Sequence, residues 1–182
     1  RCRGRDTAVI RAREIPQSIS RETSFHRDTA DPAEIEGMLD YLVGRSCRTA
    51  RELDLQPRTV AVRLRYADDG GGEQARSLAA PSAADPVVLE TALLLLRRLF
   101  TRRVALHNVG VTLSGFVAGA AEQASLFDGP RAGRAHALLA ALDRVRGAYG
   151  HGVLVSGRAL RLKGRLAEDR NGFVLRTPSL TR

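Results

Sequence analysis

The sequence Arg-Thr-Val-Ala-Val-Arg-Leu-Arg-Tyr occupies residues 58–66 and alternates between two sets of side chains. Successive side chains of a β-strand point to opposite faces of the sheet, so an alternating stretch places one set on each face. One face carries Val60, Val62, Leu64 and Tyr66, and the other carries Thr59, Ala61, Arg63 and Arg65. The pattern predicts a strand with one buried side and one cationic side.

The neighbouring elements are predicted in the same way. Residues 17–26 are rich in β-formers, residues 104–116 alternate again, and residues 73–78 follow an Asp-Asp-Gly-Gly-Gly turn as the return strand of a hairpin. Helices are predicted to begin at Asp31 and at Asp85, because each is followed by Pro, and Asp suits the N-cap while Pro suits the first turn. Apolar residues at helical spacing follow both starts.

The predicted order is therefore strand, helix, strand, strand, helix, strand. A chain with this order folds most simply as an α+β domain, in which a four-stranded antiparallel sheet has both helices on one face. The second face of the sheet then stays open to solvent. The alternation places on it Arg63, Arg65, Thr112 and Ser114, with Ser18, Ser20 and Arg76 as further candidates.

The charge of the chain indicates nucleic acid as a partner. There are 29 Lys and Arg residues against 20 Asp and Glu residues, a formal net charge of +9, and Lys163 is the single lysine. Arginine presents a planar fork that matches phosphate oxygens, whereas lysine offers a point charge. The longest unbroken apolar run covers only the six residues 137–142, too short to span a bilayer. We therefore expect a nucleic-acid partner and no membrane association.

No catalytic residue, metal site or cofactor is predicted in this chain. None of the histidines has the spacing of metal ligands; they are His26, His107, His136 and His151. The two cysteines, Cys2 and Cys47, form no Cys-x-x-Cys pair and no disulfide framework, which fits a reducing, cytoplasmic setting. Cys47 falls on the apolar face of the first helix and is predicted to be a core thiol.

The residues of the open face separate two kinds of nucleic-acid partner. RNA-recognition modules stack bases on aromatic side chains of the sheet. Here the one aromatic residue of the central strand, Tyr66, is predicted to point to the helix side. Arginines with small hydroxyl residues suit phosphate backbones, which carry no base identity. We expect binding to duplex DNA with little sequence preference, and a basic ferredoxin-like RNA-binding module remains an alternative.

Several of these stretches resemble one family. Residues 17–25 read Gln-Ser-Ile-Ser-Arg-Glu-Thr-Ser-Phe and, with the helix start at Asp31, resemble the beginning of the little finger of Y-family translesion DNA polymerases, the DNA polymerase IV group. Residues 58–68 and 104–114 resemble the central and last strands of that domain. The resemblance covers residues 16–117. Gln17 stands where a lysine is common in the family, and the hairpin turn is richer in glycine.

The resemblance implies that this chain is one part of a longer parent protein, in which DNA contact and catalysis belong to different domains. Residues 1–15 resemble the tether that follows the thumb, and the chain does not begin with Met, so we expect it to be a piece of a bacterial, nucleoid-associated polymerase. The carboxylates that hold magnesium ions belong to the palm, and this chain alone should not polymerise DNA. The little finger would contact primer–template DNA beside the palm and thumb. The candidate DNA-binding residues are Ser18, Ser20, Arg21, Arg63, Arg65, Arg76, Thr112 and Ser114.

Residues 118–133 form a linker by composition and contain one short apolar island, Gln-Ala-Ser-Leu-Phe at residues 123–127. The island resembles the peptide with which bacterial proteins bind the sliding clamp. Leu126 and Phe127 would serve as apolar anchors, while Gln123 sets the register and Ser125 completes the match. Residues 134–182 are predicted to form a C-terminal extension, a helix followed by short strands, with no activity of its own.

Two readings of the parent remain open. It is either a lesion-bypass polymerase or a non-catalytic accessory protein of translesion synthesis with the same little finger and clamp peptide. Palm carboxylates upstream in the full-length gene would distinguish them.

Overall fold

The computed structural model of the chain describes residues 15–118 and 130–176. The strands are β1 (Ser18–Thr29), β2 (Leu55–Gln56), β3 (Thr59–Tyr66), β4 (Gly71–Ser77), β5 (Leu106–Ser114), β6 (Val117–Ala118), β7 (Glu168–Asp169) and β8 (Gly172–Phe173). The helices are α1 (Pro32–Glu52), α2 (Asp85–Leu99) and α3 (Pro130–Tyr149). Two short 3-10 turns follow α3, at His151–Val153 and Ala159–Leu162.

The main sheet has four antiparallel strands in the order β1-β5-β3-β4. Helices α1 and α2 cover one face, and their apolar residues share a single core with the buried face of the sheet. The predicted α+β fold is confirmed. In that core, Val60, Val62 and Leu64 of β3 are almost completely buried. Tyr66 lies on the same side, as predicted, and its hydroxyl donates a 3.0 Å hydrogen bond to the carbonyl of Leu99.

The two helix starts differ in how they are capped. Asp31 is the N-cap of α1, and its Oδ1 accepts a 3.0 Å hydrogen bond from the Ala33 amide, as predicted. At α2 the prediction of an Asp85 cap is wrong, because the N-cap is Ala84 and Asp85 is already the first helical residue. The carboxylate of Asp85 lies instead 2.6 Å from the guanidinium of Arg51 on α1. A charged partner on another helix competes successfully with the local backbone amides.

Cys47 is fully buried in the core, as the helical spacing predicted. Burial raises the pKa of its thiol well above the ordinary value. The thiolate is the reactive form of cysteine, so this side chain is chemically inert packing.

The C-terminal extension packs against α1 and contributes to the same core. Its residues Ala159, Leu162 and Phe173 are buried there. Tyr41 of α1 is the main contact, because its hydroxyl accepts a 2.8 Å hydrogen bond from the Phe173 amide and its ring meets the ring of Phe173 edge-on. The predicted helix is present. Of the strands expected over residues 153–175, two short ones are present, β7 and β8, which pair antiparallel, while residues 151–153 and 159–162 form 3-10 turns.

His151 packs under Tyr41 and is only 7% exposed. Burial and the charges of Arg146, Arg45 and Arg48 lower the pKa of its imidazole to about 3 from the ordinary 6.5. Between these two values the unfolded chain binds a proton that the folded chain excludes. This residue therefore makes the free energy of unfolding rise with pH in that window and level off above it, with a slope of up to about 1.4 kcal/mol per pH unit.

Replacing His151 with Gln should flatten the dependence of stability on pH between about 4 and 6.5, because glutamine has no proton to exclude. Urea unfolding at a series of pH values checks this. His26 is exposed, so His26→Gln should leave the wild-type curve unchanged. Equal slopes for wild type and His151→Gln would show that the buried imidazole does not titrate as stated.

Candidate nucleic-acid interface

The register of the sheet defines the open face residue by residue. Directly opposite residues of antiparallel strands share a face, so each rung of the ladder contributes four side chains. In the order β1, β5, β3, β4, the first rung holds Ser18, Ser114, Thr59 and Ser77, and the second holds Ser20, Thr112, Ala61 and Ala75. The third holds Glu22, Gly110, Arg63 and Glu73, and the fourth holds Ser24, Asn108, Arg65 and Gly71. We call these sixteen residues the open face.

One end of the open face is made of hydroxyl and small side chains. Thr112 Oγ1 donates a 3.1 Å hydrogen bond to Ser20 Oγ across β5 and β1. Ser18, Ser20 and Ser77 are exposed, and Ser114 is half-buried. Short hydroxyl side chains let a phosphate backbone approach closely and can donate hydrogen bonds to it.

The other end carries the arginines. Arg63 and Arg65 both lie exposed on β3. Arg65 Nη1 is 3.9 Å from the carboxylate of Asp69, which is itself 92% exposed, so this contact is a weak one. Within residues 15–118 and 130–176, no carboxylate lies within 4.0 Å of the Arg63 guanidinium. Both cations are therefore available to an external anion.

The sequence analysis did not predict two carboxylates that lie on the open face. Glu22 and Glu73 stand on the same rung as Arg63 and reduce the positive potential around it. The alternation Ser18, Ser20, Glu22 was a usable signal for the first. No local signal placed Glu73, because its position depends on the register of a glycine-rich hairpin.

Glycine at position 110 is required by a close approach of two strands. A Cβ atom there would lie 2.7 Å from the Cβ of Glu22, closer than real side chains come. The third rung of the open face therefore has no side chain at its centre, between Glu22 and Arg63.

Two candidate DNA-binding residues are not on the open face. Arg76 stands opposite Val60, and Arg21 stands opposite Val111, and both of these valines are buried in the core beneath the helices. The expectation that Arg76 faces the open side is therefore wrong, since the β3–β4 register puts it on the helix side at the edge of the sheet. Arg21 also lies on the helix side, where its Nη2 donates a 3.4 Å hydrogen bond to Thr49 Oγ1.

The β3–β4 turn is held beside the open face by an arginine outside it. Arg102 forms an ion pair with Asp68, and its guanidinium lies 4.8 Å from the centre of the Tyr66 ring. The hydrogen bond from Arg102 lowers the pKa of the Asp68 carboxyl. This contact ties the turn to the segment before β5.

The predicted clamp peptide, residues 123–127, lies outside the described residues. Within the part of the chain that is described, no three His, Cys, Asp or Glu side chains are grouped so that they could hold a metal ion. The described helices include none that is both long and apolar enough to cross a membrane.

Fold and surface together define a class: a basic α+β domain with a four-stranded antiparallel sheet, helices on one side and an open polar face bearing arginines. Residues 16–126 match the family model described as the impB/mucB/samB family C-terminal domain. The chain therefore belongs to this family and carries its C-terminal domain, the little finger of Y-family translesion DNA polymerases. The resemblance stated from the sequence is confirmed.

Similar proteins include DNA polymerase IV of Dehalococcoides mccartyi, 32% identical over 161 residues that cover 88% of this chain and 40% of the relative. DNA polymerase IV of Methanoculleus marisnigri is 37% identical over 125 residues, covering 68% of this chain and 34% of the relative. The chain thus spans 40% or less of the length of these curated relatives. A solved complex of beta-clamp processivity factor and the little finger domain of PolIV matches 53% of this chain and 86% of that chain, with a TM-score of 0.46 and 15% identity.

Proposed function

We propose that this little finger holds primer–template DNA for a lesion-bypass polymerase and tethers the polymerase to the sliding clamp. The proposal of DNA binding rests on the open face, which carries exposed Arg63 and Arg65 at one end and a group of hydroxyl side chains at the other. The face offers donors and positive charge, and its described residues include no aromatic ring on which a base could stack. Such a surface suits the phosphate backbone of a duplex.

The proposed contact has a defined electrostatic layout. Arginine guanidinium groups bind phosphate oxygens through two parallel hydrogen bonds, which gives both attraction and orientation. Glu22 and Glu73 limit the attraction on the third rung, so the hold on DNA is moderate. A polymerase that must slide along its template benefits from contacts that are sequence-blind and reversible.

Binding of primer–template DNA should be steeply salt-dependent. With roughly six phosphate contacts, affinity falls about a thousandfold between 50 and 200 mM salt, because each neutralised phosphate releases a counterion. Fluorescence anisotropy with two duplexes of unrelated sequence measures both the salt slope and the sequence preference. A flat salt dependence, or tighter binding to single-stranded RNA of equal length, would contradict the proposal.

Replacing Arg63 and Arg65 together with Ala should weaken all DNA sequences alike and reduce the magnitude of the salt slope by about two, one for each lost phosphate contact. The matched control is Arg76→Ala with Arg98→Ala, two exposed arginines on the helix side. Glu73→Gln should act in the opposite direction and strengthen binding. If the control pair weakens DNA as much as the β3 pair, net charge and not the open face explains the binding.

The clamp part of the proposal rests on the peptide Gln-Ala-Ser-Leu-Phe at residues 123–127, which follows the little finger directly. A peptide of this length binds weakly alone. Linked to a domain that also holds DNA, it gains effective concentration at the primer end. We propose in addition that nucleotide transfer, with its magnesium ions, takes place in a palm domain of a longer parent protein.

A further inference from the structure

A second basic surface lies on the helix side of the domain, away from the open face. It is a cleft of about 470 Å³ between β1, the C-terminal half of α1 and the turns of the C-terminal extension that follow α3 and β7. Five arginines line it: Arg21, Arg45, Arg48, Arg146 and Arg170. We call it the arginine cleft.

The positive charge of the arginine cleft is poorly compensated. Glu52 is its one acidic lining residue, and Glu52 is already paired with Arg48 at 2.7 Å. Within residues 15–118 and 130–176, no carboxylate lies within 4.0 Å of Arg21, Arg45 or Arg170. Arg146 comes no nearer than 3.9 Å to the carboxylate of Asp85.

Hydrogen-bonding capacity is also left unused there. The Nε of Arg21 is buried without a hydrogen-bond partner among the described residues. Nη1 of Arg146 also makes no hydrogen bond there, and it lies 3.9 Å from Oδ2 of Asp85. Arg146 uses its Nε and Nη2 on the carbonyl of Leu154, at 3.1 and 3.0 Å. Arg45 lies over the ring of Tyr41, 5.8 Å from its centre, so its guanidinium is held by packing rather than by an acid.

The arginines repel one another in this arrangement. Burial and the charge of Arg45 lower the pKa of Arg21. The same positive field helps to keep the imidazole of His151, at the floor of the cleft, uncharged. A bound anion with several oxygens would relieve this repulsion and accept hydrogen bonds from more than one guanidinium.

We propose that the arginine cleft binds phosphate groups. The site is separate from the open face: β1 contributes Ser18 and Ser20 to one side of the sheet and Arg21 to the other. It is completed by the C-terminal extension, which supplies Arg146, His151 and Arg170. The C-terminal extension therefore has a proposed role in anion binding, because it supplies three of the side chains that line the site.

Calorimetric titration of the 182-residue chain with inorganic pyrophosphate at low salt tests the proposal. The wild-type chain should bind, and Arg45→Gln with Arg170→Gln should weaken binding at least about tenfold, equivalent to about 1.4 kcal/mol. The matched control is Arg98→Gln with Arg103→Gln, two exposed arginines outside both the arginine cleft and the open face, which should bind pyrophosphate as the wild type does. Absence of binding, or equal weakening by both pairs, would overturn the proposal.

A second variant protects the test against misfolding, since Arg45 packs on Tyr41. Arg170 is exposed in the β7–β8 turn, and Arg170→Gln alone should keep the circular dichroism spectrum and still weaken pyrophosphate binding about threefold or more. An unchanged affinity in this folded variant would count against the proposed site.

Competition experiments distinguish whether the cleft binds the phosphodiesters of a nucleic-acid strand or a free phosphate compound. In the Arg63→Gln/Arg65→Gln chain, a 12-nucleotide DNA strand without terminal phosphate should displace pyrophosphate if the cleft takes the phosphodiesters of a strand. If a nucleoside triphosphate displaces it and the strand does not, the cleft takes a free phosphate compound. Equal displacement by acetate at matched ionic strength would show that no phosphate site exists. Because this background lacks the open-face arginines, the outcome is independent of the proposed duplex contact.

Discussion

Replacing Arg51 with Ala should lower the free energy of unfolding by about 3 kcal/mol. The side chain of Arg51 on α1 contacts two other helices. Its Nε and Nη2 donate hydrogen bonds to the two carboxylate oxygens of Asp143 on α3, at 2.6 and 3.0 Å. Its Nη1 donates a 2.6 Å hydrogen bond to Asp85 on α2. All three side chains are only about one-fifth exposed. Removing the cation leaves two carboxylates facing each other, and breaking such a pair costs about 3–5 kcal/mol when fully buried.

Arg48→Ala is the matched control for this prediction, one turn away on the same helix. Arg48 pairs within α1 with Glu52, whose side chain is 54% exposed, and such an i,i+4 contact contributes about 0.3–0.5 kcal/mol. Urea unfolding of both variants measures the difference. A similar loss for Arg48→Ala and Arg51→Ala would show that Arg51 is no more than a surface ion pair.

The defect of Arg51→Ala should depend on pH in a defined direction. Burial already raises the pKa of Asp85 in the intact protein, against the pull of Arg51. Without the arginine this pKa rises further, so the folded variant favours the protonated acid, and stability is lost as pH rises through that pKa. The destabilisation should therefore be smaller at pH 4 than at pH 8. A constant difference across that range would argue against unpaired carboxylates as its cause.

Replacing Leu126 and Phe127 together with Ala should abolish detectable binding to the sliding clamp. Fully burying two such side chains contributes about 1.5–3 kcal/mol each, so their loss weakens binding at least about a hundredfold. The starting affinity is micromolar at best, because ordering the peptide opposes binding. Surface plasmon resonance with an immobilised bacterial clamp measures the loss, and duplex DNA affinity should stay unchanged.

Leu138→Ala provides the control for the clamp prediction. Leu138 is an apolar residue on α3 that is 60% exposed, so it tests whether any accessible leucine contributes to clamp binding. Clamp affinity should not change in this variant. If the Leu126 and Phe127 double substitution unfolds the domain, as read by circular dichroism, the pair belongs to a core and the clamp proposal fails.

The amino-acid sequence by itself determined the four strands of the main sheet, the helices α1 and α2, and their order, whereas the short strands β2 and β6 were not predicted. The alternation around Arg63 and Arg65 assigned both residues to the exposed side and Tyr66 to the helix side, because a period of two depends only on local geometry. The Asp31-Pro32 pair marked the start of α1 for the same reason, since a cap uses neighbouring amides. A βαββαβ order then leaves few ways to form a sheet, and the observed fold is the simplest of them.

Tertiary structure alone decided what depends on residues far apart in the chain. The faces of Glu73 and Arg76 follow from the register of a hairpin in which Gly70 ends the turn and β4 begins with Gly71 and Gly72, and glycine imposes no local preference that would set this register. The carboxylate of Asp85 pairs with Arg51 on another helix rather than capping its own helix, and the C-terminal extension packs on Tyr41 of α1. The arginine cleft arises in the same way, from residues between Arg21 and Asn171, because only packing brings charges so distant in sequence into one cavity.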